Sequence, residues 1–310
     1  MAEWIGVAAY SCYLNRFDSC QTSLIILLEG DYLKKKKNIP FIIFSIIFVL
    51  GLIALGLYLF SLHKKEEDFA EIRDMKKDVV VSDQGEEVKE LGYYLIDGVV
   101  VQEGLKDVYL SNSDTIGWLK IDDTNIDYPV LYNSEDENFY LHSDFNKEYS
   151  FNGSIFAGAG ADITKPSENL ILYGHHIIGG KMFGALDSYE DEDFYKEHKY
   201  ITFDSLKQTG TYEVIAVFRS QDYPDNYEGF KYFKYINLNE EEYSEYIKNI
   251  KELSSIKTDV TASYPDQLIT LSTCAYHTTN GRFVVVAKRV DGIEVDLDKE
   301  PIEIINTKGE

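Results

Sequence analysis

The chain has 310 residues, of which 45% are hydrophobic and 14% aromatic, enough apolar material for a packed core. Its formal charge of -23 argues against nucleic acid, because phosphate recognition requires clustered Lys and Arg. The same acidity argues against adsorption of the soluble part to anionic lipid.

Residues 38–62 carry no charge over 25 positions, long enough to span a bilayer core of about 30 Å at about 1.5 Å per helical residue. Lys34 to Lys37 precede the run, whereas only Lys64 and Lys65 follow it before Glu66, Glu67 and Asp68. The excess of Lys on the N-terminal side predicts an inside N-terminus, a single-pass anchor at the cell membrane and an extracellular C-terminal part. No small-residue cleavage site follows Leu62, so the reading is an uncleaved anchor rather than a signal peptide. Residues 1–37 then form a cytoplasmic segment. Residues 1–33 resemble neither a leader nor a domain, and one reading places the natural start near Leu33.

Residues 63–110 read as a stalk followed by N-terminal helices. Asp97-Gly98 and Glu103-Gly104 punctuate this stretch, and Leu105, Val108 and Tyr109 share one face of a short helix ending before Asn112. From residue 111 the pattern becomes that of short strands, at 116–121, 126–131, 153–157, 169–174, 199–203, 211–218, 267–273 and 282–290. Eight short strands separated by turn residues predict a mostly β domain built on a closed or nearly closed barrel, extending over 111–310. One helix interrupts the late strands. Asn239 is its N-cap and Glu242 completes a capping box, with Tyr243, Tyr246, Ile247, Ile250 and Leu253 at helical spacing.

Of the three cysteines, Cys12, Cys20 and Cys274, only Cys274 follows the apolar run. An exported part with a single cysteine has no internal disulfide partner, and a lone exported thiol tends to be buried or functional. Cys274 ends the apolar run TLSTC, and Arg282 begins the next strand eight residues on. The two arms of a hairpin meet, which brings the guanidinium towards the thiol. Alternation puts Arg282 on the face of Val284, Val286 and Lys288, with Arg289 opposite. A guanidinium donates to a developing oxyanion and does not lose its proton.

A thiol nucleophile also needs a base. Among six histidines, His142 and His198 sit in charged, loop-like surroundings and read as solvated. His63 abuts the apolar run, and His277 lies in the polar loop after Cys274. His175 and His176 end the apolar strand NLILYG, and spacing alone leaves the two open. The order His, Cys, Arg differs from papain-like and NlpC-like peptidases, in which Cys comes first. The compact Ser-His-Gly-Cys block of L,D-transpeptidases is missing from the sequence. With no CxxC or HxxxH pair, P-loop or GxGxxG motif, neither a metal nor a cofactor is expected.

These residues together resemble the sortase family, specifically its class B. TLSTC (270–274) matches the family's TLxTC signature, GRFVVVAKRV supplies its arginine strand, and NLILYGHH (169–176) resembles its histidine segment. The family's histidine directly follows YG, which selects His175 over His176. DTIGWLKIDDTNIDYPVLY (114–132) and KMFGAL (181–186) fit as well. The helix at 239–254 fits the class B insertion between the family's sixth and seventh strands.

The resemblance implies an eight-stranded sortase-type barrel with N-terminal helices. It implies a transpeptidase that cuts an NPxTG- or NPQTN-like C-terminal sorting signal after Thr. Cys274 would form a thioacyl intermediate, and an amine of a lipid II-type peptidoglycan precursor would resolve it. His175 would move the proton and Arg282 would hold the oxyanion or the peptide backbone. Ser272, Tyr235 and Ile236 are implied peptide contacts. The alternatives are a thiol peptidase whose main outcome is hydrolysis, and an anchored binding module without turnover. At position 176 the sequence has His where the family pattern suggests an amide, and His176 is read as solvated.

Overall fold

The computed structural model describes residues 40–60, 69–77, 91–158, 160–161, 168–275 and 278–307. The chain divides into two compact units, Met1–Asp68 and Phe69–Glu310. Within the described part of the first unit, α1 (Pro40–Phe60) is a 21-residue apolar helix, long enough to cross a bilayer core of about 30 Å. Cys12, Cys20, His63, the proposed start near Leu33 and His277 lie outside the described residues.

The second unit opens with a helix, α2 (residues 69–75), followed by β1 (Tyr93–Ile96), β2 (Val99–Gln102) and α3 (Lys106–Ser111). The barrel strands are β3 (Thr115–Lys120), β4 (Asp127–Leu131), β5 (Ile155–Ala157), β6 (Asn169–Tyr173), β9 (Tyr200–Ser205), β10 (Thr211–Gln221), β11 (Leu268–Cys274) and β12 (Gly281–Asp291). They close in the order β10-β12-β11-β6-β5-β4-β3-β9, with β9 pairing back onto β10. All eight strands expected from the sequence are present. A small hairpin, β7 (His176–Ile177) and β8 (Lys181–Met182), and the helix α4 (Glu192–Glu197) connect β6 to β9. The helix α5 (Glu240–Leu253) lies in the connection between β10 and β11, and β13 (Ile304–Ile305) is the last strand among the described residues.

Every barrel strand contributes to one interior cluster that includes Leu119, Val130, Leu172, Phe203, Val214, Leu271 and Phe283. The run FVVVA in β12 is continuously apolar because both of its faces are covered. Phe283, Val285 and Ala287 fill the interior, while Val284 and Val286 pack outside against the α5 cluster. In β10 a bulge between Val214 and Ala216 switches parity. Tyr212 and Val214 point inward before it, and Val217 does so after it.

α5 forms where the sequence predicts it. Asn239 accepts from the backbone of Glu241 and Glu242, and Glu242 returns a bond to the Asn239 N–H at 3.0 Å. Tyr243, Tyr246, Ile247 and Ile250 are buried on one face, but Leu253, expected on that face, is exposed in the last turn.

A third cluster covers the outer face of β3 to β5 with Ile72 of α2, Ile96, Val101, Leu105, Val108 and Tyr109. Lys76 adds an ion pair to Asp204 at 3.2 Å. The stretch 93–102, read from sequence only as punctuated chain, is a hairpin. Asp97 and Gly98 adopt positive φ of 47° and 83°, as a two-residue turn requires. Nor does the chain end at the arginine strand. Its tail returns, and β13 pairs in parallel with β1, Leu95 against Ile304.

Candidate active site

The geometry of the site follows from strand direction. β6 and β11 pair in parallel, with Ser272 opposite Tyr173. Their C-terminal ends therefore emerge at the same rim. One step further, the Thr273 hydroxyl donates to the Gly174 carbonyl at 2.8 Å and ties the two ends together. The next residues are Cys274 on one strand and His175 on the other. β12 runs antiparallel and begins at this rim, with Arg282 paired directly with Cys274. The Arg282 Nη1 donor lies 3.7 Å from Cys274 Sγ, and Nη2 lies 3.6 Å from the exposed Asp222 carboxylate at the end of β10.

Gly174 permits this convergence. A Cβ built there would lie 2.5 Å from Ile155 Cδ1 and 2.9 Å from the Phe183 ring. Phe183 in turn donates its N–H to the His175 carbonyl at 3.0 Å, so the KMFGAL segment holds the histidine backbone. The His175 ring nitrogen Nε2 is 2.8 Å from the Leu141 carbonyl. A carbonyl only accepts, so Nε2 carries a proton, which leaves Nδ1 as the ring atom able to exchange one. The exposed His142, adjacent in sequence to Leu141, sits with its ring centroid 5.9 Å from that of His175.

Cys274, His175 and Arg282 line one groove of about 490 Å³. Ser272, Thr273 and Tyr173 also line it, as do Phe233, Lys234 and Ile236 from the segment before α5 and Glu137, Asn138 and Leu141 from the β4–β5 connection. Burial raises the Tyr173 hydroxyl well above its ordinary value, with the Arg282 charge opposing, so it stays neutral. The thiol, the imidazole and the guanidinium offer respectively a nucleophile, a proton carrier and a fixed positive donor. This is the set that acyl transfer through a thioester requires.

Of the two implied peptide contacts before α5, Ile236 lines the groove. Tyr235 does not: its ring turns to Phe230 and Tyr246, at centroid distances of 5.3 and 5.4 Å, and joins the α5 cluster. Adjacent side chains leave an extended segment on opposite sides, which separates the Tyr235 ring from the Ile236 side chain. Ser272 lines the groove but is only 1% exposed, and its hydroxyl is already bonded to Tyr232 at 2.7 Å. His176 is not solvated. Its side chain is 18% exposed, and its Nε2 meets Asp187 Oδ2 at 3.0 Å. His198 is not solvated either; it stacks on Phe194 at 4.0 Å at the end of α4. Of the groove residues that the sequence did not single out, Glu137, Asn138, Leu141, Phe233 and Lys234 come from remote connections, whereas Tyr173 and Thr273 stand inside the YGH and TLSTC segments. Among the described residues no group of three or more His, Cys, Asp or Glu could hold a metal ion.

Comparison with known proteins agrees with this architecture. A family described as "Sortase domain" matches residues 119–290. Sortase B of Listeria monocytogenes is 33% identical over 245 residues, covering 78% of this chain and 95% of that protein. Sortase B of Staphylococcus aureus is 35% identical over 179 residues, covering 57% of this chain and 70% of that protein. A solved structure described as a Staphylococcus aureus sortase B-substrate complex superposes with a TM-score of 0.59 at 27% identity, covering 74% of this chain and 97% of that one. A closed barrel with a lone thiol at its rim, matched in this way, is that of a cysteine transpeptidase. The chain belongs to the sortase family, and within it to class B.

Proposed function

We propose that this transpeptidase uses Cys274 as nucleophile, His175 as proton carrier and Arg282 as oxyanion donor to join secreted surface proteins to the cell wall. The observation that carries the reading is the register: parallel β6 and β11 end together, and antiparallel β12 starts opposite Cys274. The groove beside these residues takes a C-terminal sorting signal of the NPxTG or NPQTN kind. Similarity to a sortase B solved with its substrate supports a peptide ligand there.

In the first step the thiol proton passes to His175 and the sulfur attacks the Thr carbonyl carbon. Arg282 faces the oxygen as it gains charge. The C–N bond then breaks, His175 returns the proton to the leaving amine, and a thioester remains on Cys274. In the second step an amine of a lipid II-type peptidoglycan precursor attacks that thioester. It loses a proton to His175, and the sulfur departs as the new amide forms. Residues 38–62 anchor the chain in the cell membrane with the N-terminus inside and the barrel outside. The Lys asymmetry and the 21-residue apolar helix support this orientation.

The test is mass spectrometry of the full chain in detergent, incubated with a library of sorting peptides. The expected result is a peptide adduct on Cys274 that ends at Thr and disappears when an amine nucleophile is added. Cys274→Ala and His175→Ala abolish turnover, whereas His176→Ala is mild. Cleavage that persists in Cys274→Ala removes this reading. Release of free acid despite excess amine makes hydrolysis the outcome instead.

A further inference from the structure

On β11 the odd positions Ile269 and Leu271 fill the barrel, so Thr270, Ser272 and Cys274 form a column on the outer face. That column is polar yet covered: Thr270 is 0% and Ser272 1% exposed. The Thr270 hydroxyl shares a 2.8 Å bond with Tyr246 and donates to Asn169 at 2.8 Å. The Ser272 hydroxyl shares a 2.7 Å bond with Tyr232. Tyr232 opens the single helical turn Tyr232–Lys234, and the next two residues, Phe233 and Lys234, face the groove. Asn169 grips the same segment further on. Its N–H donates to the Ile236 carbonyl at 3.1 Å and its side-chain amide to the Tyr235 carbonyl at 2.7 Å.

The groove wall is therefore fastened at two places to β6 and β11, the strands that lead to His175 and Cys274. A Phe and an Ala would fill the same space as Tyr232 and Ser272. A buried neutral hydrogen bond adds little net stability, but it fixes a distance and a direction that apolar contact leaves free. Burial pushes the Tyr232 hydroxyl up to about 12, so it remains protonated and able to bond at any working pH.

We propose that Tyr232, through its bond to Ser272, is a positioning residue that sets the spacing between Cys274 and the Phe233–Ile236 wall and so governs sorting-peptide binding. The inference rests on the reading of Cys274 as nucleophile and of the adjoining groove as the peptide site. In this arrangement the Ser272 hydroxyl acts on the peptide through the wall rather than by touching it.

The experiment is a double-mutant cycle on the full chain in detergent, with Tyr232→Phe, Ser272→Ala and both together. The readouts are KM and kcat for a cleaved sorting peptide and the rate of Cys274 alkylation by iodoacetamide, a reagent too small to need the wall. Each single variant is expected to raise KM by about tenfold, with kcat and alkylation within about twofold of the parent. The double variant is expected to match the single ones. Two independent effects that multiply would overturn the proposal, because they would mean a direct peptide contact by Ser272. It is equally overturned if KM stays put, or if kcat and alkylation fall together as general loosening would make them. If Tyr232→Phe does not fold, Ser272→Ala decides alone, and an unchanged KM sinks the idea. Persistent cleavage by Cys274→Ala would instead remove the underlying reading, so the two failures are distinguishable.

Discussion

The two faces of β11 solve different problems. The inner face, Ile269 and Leu271, is apolar and joins a cluster fed by all eight barrel strands. The outer face, Thr270, Ser272 and Cys274, is polar although α5 and the segment before it cover it almost completely. Apolar burial is strong but non-directional, so it closes the barrel without aiming any one side chain. Hydrogen bonds between buried hydroxyls add little net stability but specify partners. The strand therefore draws stability from one side and placement from the other, and Cys274 stands at the end of the side that is placed.

Neighbouring substitutions break the comparison most directly. Leu271→Ala empties a fully buried interior position, and a loss of about 4 kcal/mol is expected in denaturant unfolding. A loss under about 1 kcal/mol would mean that the interior collapses around the gap.

Alkali probes the outer face. Tyr232 titrates near 10.0 in the unfolded chain and is pushed up to about 12 by burial. A group whose value is raised by folding stabilises below its unfolded value and loses that contribution as pH climbs towards the folded one. Stability should thus fall from about pH 10 upward, with Tyr232 responsible for up to about 3 kcal/mol. The part of the tyrosinate absorbance that Tyr232→Phe removes should appear together with unfolding.

Thr270→Val keeps the shape but strips the hydroxyl from Tyr246 and Asn169, and about 2 kcal/mol should be lost. A change near zero would show that the polar column is dispensable for stability. The smallest effect, about 1 kcal/mol, is expected for Asn239→Ala, which uncaps the helix that covers this face. Its thermal midpoint should drop while iodoacetamide still alkylates Cys274 at the parent rate.

Much of the barrel was legible because its signals are local. Strand runs such as TYEVIAVF and RFVVVAKRV lie between turn residues, and the capping box of α5 lies within four consecutive residues. The β1–β2 hairpin, although local, was read only as punctuated chain, whereas β13 escaped the sequence reading for the opposite reason. β13 pairs with a strand more than 200 residues earlier, and two-residue strands have no periodicity to read. At the site, the family pattern selected His175, but nothing in the sequence marked the Leu141 carbonyl that fixes its tautomer. Nor did it mark Asp222 beside Arg282 or Tyr232 behind Ser272. The packing of Tyr235 was unmarked too, because a segment's facing depends on what covers it, here Phe230 and Tyr246.

The sequence by itself determined the apolar helix, the eight strands, the helix between the last long strands, and the residue types able to run acyl transfer. Short-range periodicity and capping chemistry suffice for those. Only the tertiary structure decided that β6 and β11 run parallel and end at one rim. It also decided that the Leu141 carbonyl holds the His175 ring, and that Tyr232 and Asn169 fasten the groove wall. These are contacts between segments far apart in the chain, settled by the closure of the barrel rather than by any local pattern of residues.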